Sequence, residues 1–179
     1  MTRFIVTPDG QFQIGETVFR AALGKGGVKP EGDKIEGDGA TPLGEYTLRR
    51  VLYRTDRGTA PATTLPVRPM RPDDGWCDDP ANAAYNRPVR LPYPASAEEM
   101  NRQDELYDIV VVLSHNDDPP IAGRGSAVFL HCAKQDYSPT LGCVALARAD
   151  LEYVLARARP GDTLEIRRQA GSRTGPSPP

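Results

Sequence analysis

A chain of 179 residues with 39% apolar content has the size of one domain and enough apolar side chains to bury a core. Its net charge of −2 excludes the strongly basic surface that nucleic acid or an anionic membrane would select. Apolar runs are only a few residues long, which excludes a transmembrane helix.

Eighteen prolines and seventeen glycines favour strands and loops over a helical bundle. Three cysteines, Cys77, Cys132 and Cys143, do not make a disulfide framework. With two histidines and no CxxC pair, no metal centre is expected. The opening MTRFIVTPDG lacks the apolar core of a secretory signal, so the chain is expected either to act in the cytoplasm or to have a signal that was removed or misassigned.

In chain order, residues 4–7 and 11–14 flank Asp9 and Gly10 and read as a hairpin, with a third strand over 17–23. Residues 24–40 (GKGGVKPEGDKIEGDGA) read either as a mobile surface loop or as a substrate-facing one. Pro42 and Gly44 then set a turn before a strand through Tyr46, Leu48 and Leu52. From about 54 to 107 no clear period survives, and eight prolines fall between Pro61 and Pro94. Such a stretch reads as a long lid-like insertion, pinned by Trp76 and Tyr85. Ser96 and Glu99 fit a capping box, so a short helix is expected to begin there. Residues 108–113 (DIVVVL) form the strongest strand pattern and read as central. Leu151, Val154, Leu155 and Ala158 recur at helical spacing within an amphipathic helix over 147–159. Pro160 and Gly161 stop it, and a last strand covers 163–166. The chain reads as one mainly β domain over 1–168, followed by a flexible tail over 169–179.

The stretch 126–146 (SAVFLHCAKQDYSPTLGCVAL) carries the chemistry. Its apolar run predicts a buried strand that ends near His131, and a polar turn then leads to Thr140, Leu141, Gly142 and Cys143. A free thiol with a pKa of ~8.5 is mostly protonated at neutral pH, and a nearby imidazole is the group best suited to take its proton. Gly142 permits close approach of a substrate, and backbone N–H groups at Gly142 and Cys143 can line an oxyanion hole, with Thr140 bonding inside the turn. Cys132 should face the opposite side of the strand as core. His115, after the central strand, remains open as an alternative base. A papain-like arrangement needs a histidine downstream of the cysteine, and none follows Cys143.

These residues resemble the signature of the YkuD-type L,D-transpeptidases, a histidine after a strand followed by a Ser/Thr-x-Gly-Cys turn. The matching positions are His131, Thr140, Gly142 and Cys143. A second, upstream match runs from Asp38 through Thr41, Pro42 and Gly44 to Tyr46, similar to the family's Thr-Pro-x-Gly-x-aromatic segment. The chain differs in having Leu141 where the family commonly has histidine and Ala145 where it has asparagine or arginine. Its interval from His131 to Thr140 is also shorter.

The resemblance implies a β-sandwich catalytic domain with the proline-rich insertion and one late helix. It further implies Cys143 as nucleophile, His131 as general base and acid, and no cofactor. The substrate implied is peptidoglycan, donor and acceptor stem peptides being joined through a thioester. Hydrolysis by an L,D-carboxypeptidase on the same site, or a non-catalytic wall-binding module with an inert cysteine, are the alternatives. Stem peptides carry carboxylates, so Lys134 and Arg124, and less directly Arg20 and Arg148, are candidate substrate contacts. Tyr85 and Trp76 are candidates for a cover over the donor groove. Such a substrate points to the periplasm or the wall, with the cytoplasm as the alternative.

Overall fold

The computed structural model describes residues 1–168, so the expected tail over 169–179 lies outside the described residues. In chain order the elements are β1 (Arg3–Val6), β2 (Gln11–Ile14), β3 (Thr17–Ala22), β4 (Val28–Pro30), β5 (Thr41–Tyr53), β6 (Val67–Pro69) and β7 (Asp74–Cys77). They continue with β8 (Pro88–Arg90), β9 (Ala97–Glu99), β10 (Ile109–Leu113), β11 (Phe129–Cys132), β12 (Val144–Leu146), α1 (Arg148–Leu155) and β13 (Thr163–Ile166).

The main sheet runs β10-β11-β12-β3-β2-β1-β13-β5, and β5 pairs again with β10, so the strands close into a flattened ring. Closure depends on the length of β5. Its first half pairs with β13 from Gly44 to Thr47, and its second half pairs with β10 from Leu48 to Tyr53. The two layers of the sandwich are thus joined by one strand that passes from one to the other. The expected hairpin is present, with Val6 opposite Phe12, and β13 lies parallel to β1.

Alternation along β10, β11 and β12 separates two apolar clusters. Ile109, Val111, Leu113, Leu130, Cys132, Val144 and Leu146 face the interior of the ring, where α1 adds Leu151, Val154 and Leu155. Val110, Val112, Phe129 and Cys143 face outward, under Trp76, Met70, Met100 and Tyr107. The helix is shorter than the expected 147–159, because Asp162 accepts the Arg159 N–H and draws the chain into a turn. Ala158 still reaches the core from that turn, at 1% exposure.

Three expectations are corrected. Residues 97–99 are not the start of a helix: they form β9, whose backbone pairs with β7 and places Glu98 opposite Trp76. Tertiary pairing overrides the local capping pattern there. The stretch 54–107 is not without regular structure, since β7, β8 and β9 form a small antiparallel sheet over the outer face. Residues 24–40 are not a mobile loop. β4 pairs in parallel with the start of β5, and the buried Lys34 holds Asp38 at 2.6 Å.

Trp76 fastens the outer layer, packing edge-on against Phe129 at 5.0 Å between ring centroids while its Nε1 donates to Asn86. Trp76→Ala should cost about 3–5 kcal/mol, read from urea denaturation by circular dichroism. A loss under about 1 kcal/mol would show that the outer layer is not fastened by this side chain.

Candidate active site

β11 and β12 run in parallel, with His131 opposite Ala145 and Leu130 opposite Val144. Period-two alternation therefore puts His131, Ala145 and Cys143 on the outer face, offset by one step of the pleat. Strand spacing and rise place the Cα atoms of residues 131 and 143 about 8 Å apart, a gap that the two side chains can span. Cys132 points the other way into the ring, and burial raises its thiol to about 11.

The turn before Cys143 is tied by the Thr140 hydroxyl, which donates to the Cys143 carbonyl at 2.7 Å and accepts the Gly142 N–H at 3.1 Å. Gly142 N–H is thus engaged by the Thr140 hydroxyl. Gly142 has φ +134°, and a Cβ there would lie 3.0 Å from the Ala40 carbonyl oxygen. A Cβ on Gly24 would meet the Gly39 carbonyl oxygen at 2.2 Å and Gly142 Cα at 3.0 Å. The glycine-rich segment is therefore the backbone bed on which the cysteine turn rests, and Thr140 exchanges backbone hydrogen bonds with Leu23 and Lys25.

The Cys143 thiol donates to the Ala127 carbonyl at 3.1 Å and accepts the Phe129 N–H at 3.3 Å. Burial, with the Glu98 carboxylate nearby, pushes this thiol up to about 12. His131 is buried and held near 4, chiefly by desolvation. Its Nδ1 donates to the Cys132 carbonyl at 2.8 Å, which leaves Nε2 as the unprotonated nitrogen. The resting pair is thus a neutral thiol and a neutral imidazole. Tyr107 packs edge-on against His131 at 5.1 Å and donates to Glu98 at 2.6 Å.

Asn86 organises the surroundings, and nothing in its sequence context marks it. Its side-chain oxygen accepts from Trp76 Nε1 and the Ala127 N–H, while its Nδ2 donates to the carbonyls of His115 and Asn116. Ala127, which holds the thiol proton, has φ +51°, a left-handed conformation costly for a residue with a Cβ. The Asn86 bond to its N–H helps to hold it there.

His131, Thr140, Gly142 and Cys143 line one cavity of about 620 Å³, with Lys134 at its edge. Lys34, Glu36, Asp78, Glu98 and Arg102 supply charged walls that were not singled out from sequence. Asp78 Oδ1 is buried without a hydrogen-bond partner among the described residues. Burial pushes the Asp38 carboxyl up, but the Lys34 ammonium and the amides of Ala40 and Ile35 outweigh it and hold the group well below the usual carboxylate range.

Other expected contacts lie elsewhere. Trp76 and Tyr85 are buried and do not line the cavity, Tyr85 being fixed by its hydrogen bond to Glu36. They sit in the outer layer beside the cavity rather than at its wall. Arg124 is turned to the Gly32 carbonyl, Arg20 lies over the Tyr137 ring, and Arg148 pairs with Asp108 and Glu152. His115, the alternative base, is buried outside the cavity, with Nε2 donating to the Arg124 carbonyl.

Residues 2–166 match the YkuD family, the L,D-transpeptidase catalytic domain. This chain belongs to the YkuD family. Among solved structures it is similar to L,D-transpeptidase 3 from Mycobacterium tuberculosis in complex with a faropenem-derived adduct, at 16% identity and a TM-score of 0.46, over 93% of this chain and 60% of that one. It is likewise similar to L,D-transpeptidase 1 from Mycobacterium tuberculosis, at 13% identity and a TM-score of 0.43, over 92% and 60%. An L,D-transpeptidase from Mycobacterium smegmatis gives 14% identity and a TM-score of 0.41, over 93% and 58%. The chain thus covers less than two thirds of the length of these proteins. No curated protein matches it. Where YkuD proteins commonly carry a histidine before the Gly-Cys pair, this member presents Leu141 at the cavity wall, 75% exposed.

Thr140→Val removes both bonds made by the hydroxyl and should destabilise the fold by about 1–3 kcal/mol in urea titration. The buried histidines add a pH dependence. His131 and His115 are both lowered from 6.5 to about 4 by burial, so below pH 6.5 the unfolded chain binds protons that the folded chain refuses. Their contribution to stability is complete above pH 6.5 and falls as the pH drops towards 4. Glu98 and Asp108, raised by burial, act in the opposite sense. Comparing wild type with His115→Gln therefore isolates the histidine part: the variant should lose less stability between pH 7 and 4.5.

Proposed function

We propose that this YkuD domain is a cysteine acyltransferase that opens an L-to-D peptide bond in a peptidoglycan donor stem and passes the acyl group to an amine of an acceptor stem. The observation that carries this reading is the placement of Cys143 and His131 on one face of adjacent strands at the wall of a single cavity, with His131 Nε2 unprotonated.

The neutral resting pair requires that proton transfer accompany attack. As the donor carbonyl approaches, the thiol leaves the Ala127 carbonyl, Cys143 Sγ bonds to the carbonyl carbon, and the thiol proton passes to His131 Nε2. Collapse breaks the C–N bond, and the imidazolium returns that proton to the departing amine. The acceptor amine then attacks the thioester carbonyl, gives a proton to His131, and expels Sγ, which regains its proton from the imidazolium. The hydrogen bond from His131 to the Cys132 carbonyl supports the imidazolium formed in each half. The charged walls give an acyl donor with free carboxylate and ammonium groups partners of both signs, and the exposed Leu141 offers an apolar contact at the wall. No step calls for a cofactor.

Such a substrate places the protein in the periplasm or wall. Detection of the native protein only in the cytosol would move the substrate to precursors or recycled fragments.

The test is incubation with purified disaccharide-tetrapeptide and mass spectrometry of protein and products. A cross-linked dimer supports transfer, and a trimmed tripeptide alone would replace transfer by hydrolysis on the same thioester. Without acceptor, an acyl adduct should appear on Cys143. Cys143→Ala should remove the adduct and lower turnover by at least about a thousandfold, while His131→Gln should lower turnover about 10²–10⁴-fold. Full activity in Cys143→Ala would overturn the nucleophile.

A further inference from the structure

A second recess lies on the same outer face, beside Phe129 and Val128, with a volume of about 120 Å³. Its walls include Arg49, Arg50 and Arg87, with Trp76 and His115 behind them. Arg49 is paired with Asp117 at 2.8 Å. Arg50 and Arg87 have no carboxylate within ion-pair distance among the described residues, although Arg50 is only partly exposed. Arg68, the next guanidinium, already holds Asp74. Burial lowers Arg50 first, and the like charges of Arg68 and Arg87 lower it further. His115 is neutral near pH 7, so the lining residues carry the three arginine charges against one from Asp117.

A half-buried guanidinium that feels the like charge of a second one on the same recess is costly unless an anion offsets both. Two guanidinium groups lining one small recess suit a group with several oxygens and two negative charges better than a single carboxylate. We propose that the recess between Arg50 and Arg87 is a binding site for the phosphate group of a soluble small molecule. None of the large apolar side chains that are exposed lines the recess, so it has no apolar rim with which to enter a bilayer. The site is separate from Cys143 and stands whether or not the acyl-transfer reading does.

Trp76 is the sole tryptophan and lines the recess, with the Arg50 guanidinium 5.9 Å from its ring centroid, so its fluorescence reports on occupancy. The full chain is titrated with inorganic phosphate and with diphosphate, with sodium acetate and sodium chloride at matched ionic strength. Phosphate or diphosphate should give a saturable change that acetate and chloride do not. By calorimetry, Arg50→Gln and Arg87→Gln should each weaken binding about tenfold or more, and the double variant should abolish it. In phosphate-free buffer Arg50→Gln should melt at or above the wild-type temperature, since an unpaired cation is lost; a structural arginine would give a lower value. The proposal is overturned by the absence of a saturable change, by an equal response to acetate, or by unchanged affinity in both variants. A response only to phosphatidylcholine vesicles containing phosphatidic acid also overturns it, in favour of a membrane surface.

Discussion

The parallel pairing of β11 with β12 is the constraint on which the site depends. Parallel neighbours are ordinarily linked by a crossover long enough to include a helix. Here the link from Cys132 to Val144 contains none, and the chain must return in a tight path along the sheet. That path is possible because a neighbouring backbone lies directly beneath it. Gly24, Gly142 and the carbonyls of Gly39 and Ala40 come so close that side chains would have to intrude into main chain. The pairing, in turn, gives Cys143 and His131 a common face, and alternation gives Cys132 to the core. A slip of β12 by one residue would turn Cys143 into the ring.

Electrostatics follow from the same arrangement. The outer face is covered by a second apolar layer, so the thiol and the imidazole lie where charge is poorly solvated, and both stay neutral. The layer is tied down by Asn86, which joins Trp76, the 115–116 backbone and Ala127 through four hydrogen bonds. The position of the thiol is thus coupled to packing well outside the cavity. Beside the cavity, the buried Lys34 pairs with Asp38 at 2.6 Å.

Much of the ring was legible because its strands obey simple patterns. The hairpin at Asp9 and Gly10, the run at 109–113 and the closing strand at 163–166 each carry local signals that tertiary contacts do not contradict. The outer layer was not legible, because β7, β8 and β9 are only three or four residues long and owe their pairing to partners distant in sequence. Ser96 and Glu99 show the limit of local reasoning, since a capping box and a short edge strand begin with the same residues. In the stretch 24–40, Gly24, Gly26 and Gly39, which read as freedom, serve close packing, and Lys34 gives no sequence sign of burial because its partner Asp38 is also charged. For the candidate site, Cys143, His131 and Thr140, singled out by their chemistry, line one cavity, whereas Trp76 and Tyr85, singled out as aromatics, lie outside its wall. A large ring in a proline-rich segment is as readily an anchor as a cover, and only packing distinguishes the two.

The closed ring has one more consequence, for behaviour in concentrated solution. Unpaired strand edges are templates on which a second chain can add and begin fibre growth. Closure through β5 and β10 removes both lateral edges from the ring. What remains among the described residues is confined to three-residue strands at the margins, β4, β6, β8 and β9, which carry Pro30, Pro69, Pro88, Arg90, Glu98 and Glu99. Short length, missing donors and charge all discourage growth there. The topology that gives Cys143 and His131 a common face thereby also leaves little edge on which a second chain could add.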